Sequence, residues 1–182
     1  MTIFLTRTDL DQNPRASCGP AALAALLEMP LAELHTCFPR HTAERTWTNL
    51  VQMQSAITTL KVKWDPTGWA EYEDKRTVGH ERAWPHLGLV LLQFHGTWDT
   101  MPVNHPAQLQ RSHWVAVSPL KNSPPGGEPW VFDVNALEQH LNHGWLPKDC
   151  WETRILKPLI ACHKRANGSW WVRAGLEVQW LC

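Results

Sequence analysis

The chain has 182 residues, enough for one domain with a sizeable core, and it is read as a single domain spanning 1–182. Seventeen basic and seventeen acidic side chains cancel, so no charge excess argues for a nucleic-acid or membrane partner. Five cysteines are an odd number without a tight framework, and Met1 to Leu10 lacks a basic-then-apolar leader. These features disfavour a disulfide-stapled secreted scaffold and lead us to expect a cytoplasmic protein.

In chain order, the first third reads as helical. Ser17-Cys18-Gly19-Pro20 leads into Ala21-Ala22-Leu23-Ala24-Ala25-Leu26-Leu27, which is apolar all round, as in a centrally buried helix. Pro20 suits a first turn, where its missing N–H costs nothing. Leu31, Leu34, His35 and Phe38 give an amphipathic turn or two after Pro30. Asn49 and Gln52 have capping-box spacing, with Leu50, Met53, Ile57 and Leu60 at helical period.

From Lys61 the texture changes to strands and loops. Gly88 to Phe94 and His113 to Val117 read as buried strands. Pro124-Pro125-Gly126-Gly127 is a turn signal before a third strand, Trp130 to Val134, which should pair antiparallel with the second. Trp151 to Cys162 suggests a short helix limited by Pro158, and Asn167-Gly168 a turn between helix and strands at Trp170–Val172 and Leu176–Trp180. The expected class is α+β: N-terminal helices packed on a mostly antiparallel sheet. Twelve tryptophans read as core and loop packing, with an aromatic substrate groove as the alternative.

Thiol catalysis needs a nucleophile, a base, a group that orients the base, and donors for the oxyanion. Cys18 sits at the mouth of the apolar helix, where the dipole favours a thiolate; a free cysteine is equally a common small core residue. His113 opens one hairpin strand and Asp133 closes its partner, so the two side chains can meet. An acid within Val131-Phe132-Asp133-Val134 is costly unless an imidazole N–H satisfies it. Asn135 shares that face by strand alternation and is the fallback orienter. Gln12, six residues before Cys18, could donate to an oxyanion together with the Cys18 N–H. Gly19, Trp114 and Asn135 are candidate binding residues beside this set, and Arg111 precedes His113 by two positions.

Gln12, Cys18, His113 and Asp133, in this order and spacing, resemble the papain-like cysteine peptidase superfamily. Within it, Cys18-Gly19-Pro20-Ala21-Ala22-Leu23, His113-Trp114 and Phe132-Asp133 are most similar to C39-like bacterial and phage peptidases. The resemblance implies a papain-like fold whose nucleophile opens a central helix. It also implies a Cys18–His113–Asp133 triad with Gln12 in the oxyanion hole, a thioester acyl-enzyme and a peptide or protein substrate. The chain departs from the papain–cathepsin branch, having no Cys-Gly-Ser-Cys-Trp segment. A deamidase or transglutaminase-like effector shares the same first step. A cell-wall amidase or endopeptidase would keep the same fold layout, as would a catalytically silent binding module.

No metal or cofactor is expected. Cys37 and His41, His140 and His143, and Cys162 with His163 lack a second matched pair at zinc spacing. Pro125-Gly126-Gly127-Glu128 lacks the lysine of a phosphate loop. The loop-rich stretches Trp64–Trp84 and Gly96–Gln110 are the expected carriers of specificity.

Overall fold

A computed structural model describes residues 5–12, 17–39, 47–65, 84–101, 110–119, 127–139 and 141–179. The expected turn at Pro124 to Gly126, His41, His140, Trp180, Cys182 and most of the two loop-rich stretches lie outside the described residues.

The short helix α1 (Arg7–Gln12) precedes α2 (Cys18–Leu27), which buries Gly19, Pro20, Ala21, Ala22, Leu23, Ala24 and Leu26. Its first internal bond is Ala21 N–H to Ser17 O (3.1 Å), so Pro20 stands where no N–H is missed. A 3₁₀ segment, Leu31–Cys37, leads toward α3 (Leu50–Thr59). The capping box forms as expected: Gln52 N–H donates to Asn49 Oδ1 and Asn49 N–H to Gln52 Oε1, both at 2.9 Å.

The strands are β1 (Lys63–Asp65), β2 (Gly88–Gly96), β3 (Ser112–Ser118), β4 (Trp130–Phe132), β5 (Trp145–Pro147) and β6 (Ala166–Gln179). Among the described residues they form one six-stranded open sheet, order β1-β6-β2-β3-β4-β5, with every pairing antiparallel. The molecule is thus α+β.

Alternation along the strands divides the core in two. Leu89, Leu91, Trp114, Ala116, Phe132 and Leu176 meet the N-terminal helices on one face. Val90, Leu92, Val115, Val117, Val131 and Val172 meet Trp151, Ile155, Leu156 and Ile160 on the other. The sheet is therefore covered on both sides, not only by the N-terminal helices.

Three expectations are corrected. Val134 does not extend β4. Asp133 caps a short helix, α4 (Val134–Glu138), by accepting from Asn135 N–H, and this turns the chain out of the sheet. Pro158 does not end the C-terminal helix. α5 (Lys148–Trp151) and α6 (Lys157–Cys162) are joined without a break by a π turn, Glu152–Leu156. A π turn widens the spiral just before Pro158, relieving the clash its ring makes with the preceding turn. Asn167-Gly168 does not precede the strands, and the two expected strands are one: it forms a bulge inside the continuous β6, with Gly168 at φ +86° and Ser169 N–H bonded to Asn167 Oδ1.

Candidate active site

The β3–β4 register aligns Ala116 with Phe132 and Val117 with Val131. Continuing it sets Asp133 opposite Val115, so His113 and Asp133 are diagonal neighbours on one face. His113 Nε2–H donates to Asp133 Oδ2 at 2.9 Å. A carboxylate only accepts, so Nε2 carries the proton and Nδ1 is left for the thiol. Both groups are buried, His113 at 5% and Asp133 at 0% exposure, while Cys18 is half-buried at the start of α2.

Asp133 is held by four donors. Oδ2 accepts from His113 and from the Trp151 indole N–H (2.8 Å). Oδ1 accepts from the Asn135 backbone N–H (2.8 Å) and side-chain amide (2.9 Å). The Asp133 N–H donates to Gly144 O at 2.9 Å. Gly144 has φ +86°, and a Cβ there would stand 2.5 Å from the Phe132 ring, so only glycine lets the chain pass this close.

Charge follows from this packing. Burial alone would push the His113 imidazole down; the Asp133 carboxylate and Cys18 outweigh it and hold His113 well above its ordinary value of 6.5. Burial would raise Asp133, but His113 and the Trp151 and Asn135 N–H groups keep it below its ordinary 3.8. Cys18 therefore lies close enough to His113 to help raise it. Cysteine, imidazole and carboxylate thus lie in sequence from the mouth of α2 to the end of β4. His163, on the far side, is pushed down by burial and by the nearby Arg111 and His113.

The other expected residues have different positions. Gly19 and Trp114 are buried beneath the site: a Cβ on Gly19 would collide with the Thr48 hydroxyl, and the Trp114 indole N–H donates to Thr48 O (2.8 Å). Asn135 is not on a strand, and its role is to hold Asp133. Gln12 ends α1 with an exposed side chain, and no hydrogen bond joins it to Cys18, His113 or Asp133 among the described residues. Arg111 stacks over Trp98, 5.5 Å from the ring centroid.

Sequence reasoning missed Trp151. It lies in a helix far along the chain, and the available signal was a buried indole seeking an acceptor beside an acid seeking donors. Four described cysteines, Cys18, Cys37, Cys150 and Cys162, are free thiols. Among the described residues no cluster of three His, Cys, Asp or Glu is placed to hold a metal ion, and no helix is long and apolar enough to cross a membrane.

No family model matches the chain, and neither a curated protein nor a solved structure matches it significantly.

Proposed function

We propose that the chain is a papain-like cysteine hydrolase, a peptidase acting on peptide or protein substrates without a cofactor. The observation that carries this reading is the His113 imidazole, hydrogen-bonded to the buried Asp133 carboxylate and close enough to Cys18, at the start of α2, for that thiol to help raise it. The order Cys, His, Asp and the resemblance to C39-like peptidases support it. A buried acid and imidazole beside a free thiol at a helix mouth also fit the needs of nucleophilic catalysis.

In this mechanism His113 Nδ1 takes the Cys18 proton and the sulfur attacks the substrate carbonyl carbon. Negative charge moves to the carbonyl oxygen, near the first-turn N–H groups of Cys18 and Gly19 in α2. The tetrahedral species collapses as the leaving amine takes the proton from His113, leaving a thioester on Cys18. Water then attacks the thioester, giving its proton to His113, and the acid departs as the proton returns to sulfur. Asp133 stays ionised throughout and holds the imidazole in the Nε2–H tautomer.

The test is alkylation by iodoacetamide, mapped by mass spectrometry, followed by product analysis with peptide substrates. Cys18 is expected to react fastest of the thiols, with His113→Ala slowing it and new peptide termini appearing. Equal reactivity of all the thiols, insensitive to His113, would overturn the reading. Release of ammonia without chain cleavage would keep the thiol chemistry but replace the peptidase with a deamidase.

A further inference from the structure

The Asp133 oxygen that faces His113 is not reserved for it. Trp151 Nε1–H donates to the same Oδ2 at 2.8 Å, against 2.9 Å for His113 Nε2. Trp151 is fully buried, and its ring is held edge-on by Trp84 (centroids 5.9 Å apart) and Trp170 (6.4 Å). It is the last residue of α5, directly before the π turn, so it comes from the layer opposite the one that carries Cys18. The packed rings leave this N–H little freedom to turn elsewhere.

We propose that Trp151 is a positioning residue of the Cys18–His113–Asp133 site. Its indole N–H shares Oδ2 with His113, fixes the plane of the carboxylate and limits how strongly that carboxylate draws the imidazole proton. Two physical effects act in the same direction. The donated hydrogen bond spreads the carboxylate charge away from His113. The positive end of the N–H dipole also lies next to the imidazole and opposes a second proton on it.

A relay needs a base that releases its proton as well as takes it, and an unshared carboxylate beside it would make His113 too retentive. The groups facing His113 are Asp133 at the cap of α4, Cys18 on α2 and, farther off, His163 after α6. Those facing Asp133 are His113, Trp151 and Asn135. Trp151 is the uncharged member that can tune the pair without titrating itself.

The coupling between Trp151 and His113 holds whatever the chain acts on; its consequence for rate rests on the hydrolase reading. The test is heteronuclear NMR of the intact protein without substrate, with signals assigned through bonds. The Trp151 indole N–H signal is expected to move in step with the His113 ring titration, and a signal flat across that titration overturns the proposal. In Trp151→Phe, which keeps an aromatic ring and removes the donor, the His113 midpoint should rise by about half a unit, roughly threefold in proton affinity. An unchanged midpoint overturns the proposal. Under the hydrolase reading kcat falls about fivefold in this variant with KM unchanged. Coupled titration in a chain that shows no selective Cys18 reactivity supports the Trp151 role while overturning the hydrolase reading.

Discussion

Trp114 and Thr48 lie 66 positions apart, yet the Trp114 indole N–H donates to the Thr48 carbonyl at 2.8 Å inside the core. This bond holds Thr48 against Gly19, the residue after Cys18. Thr48 therefore ties β3 to the first turn of α2, touching both. Only a glycine at position 19 leaves room for it, because an added Cβ would collide with the Thr48 hydroxyl and stand 2.6 Å from its Cβ.

Gly19→Ala should accordingly cost about 1–3 kcal/mol of stability, the usual range for overpacking, and lower Cys18 reactivity by displacing the helix start. Thr48→Ala removes two of the three colliding atoms, Oγ1 and Cγ2, and should recover part of the loss. Denaturant titration of the four members of this double-mutant cycle measures it. Additive costs would mean that the two residues are not in conflict.

Under the hydrolase reading, Asp133→Asn should lower kcat/KM by about two to four orders of magnitude. Every side-chain and backbone group facing this carboxylate is a donor. An amide accepts on one side only, so its NH₂ must confront either the Asn135 pair or the His113 and Trp151 pair. In the second case His113 switches to the Nδ1–H tautomer and can no longer take the thiol proton. Steady-state kinetics report the first effect, and ¹⁵N shifts of the ring distinguish the tautomers.

Asn135→Ala should be mild by comparison, about 1 kcal/mol in stability and less than about tenfold in rate. The backbone N–H of residue 135 remains to hold Oδ1. A loss in kcat/KM as large as that of Asp133→Asn would make Asn135 the orienting residue instead.

Stability should depend on pH through the buried pair. His113 is raised above its ordinary 6.5, so its contribution is complete below 6.5 and disappears as pH climbs through the folded value. Asp133 is lowered from 3.8, so its contribution is complete above 3.8 and disappears as pH falls through the folded value. The advantage of the natural chain over His113→Gln should thus be widest between 3.8 and 6.5, at about 3–5 kcal/mol for a broken buried pair. It should narrow on the alkaline side. Denaturant midpoints at pH 5.5, 7 and 9 follow this (about one measurement per regime), and a gap that widens with pH contradicts it.

Much of this architecture was legible where one local signal sufficed. The all-apolar run after Cys18 gave a buried helix, Asn49 and Gln52 gave its successor's start, and the apolar runs at Gly88 and His113 became β2 and β3. The pairing of His113 with Asp133 followed from hairpin logic, because a register constrains which side chains share a face. The misses arose where two local signals competed. Asp133 satisfies both the end of a strand and the cap of a helix, and the cap won. Pro158 is a breaker that a π turn accommodates. Trp151 was invisible for another reason: its contact with Asp133 is made by tertiary packing, which no periodicity encodes.

The two-sided covering of the sheet has a consequence for how the site endures. Cys18 belongs to the layer on one face, Trp151 to the layer on the other, and the strand end bearing His113 lies between them. Under the hydrolase reading the site is a rivet through three layers, and slippage of either outer layer misaligns it. Loss of thiol reactivity should therefore be an early sensor of loosening anywhere in the sandwich, ahead of any loss of helix or strand.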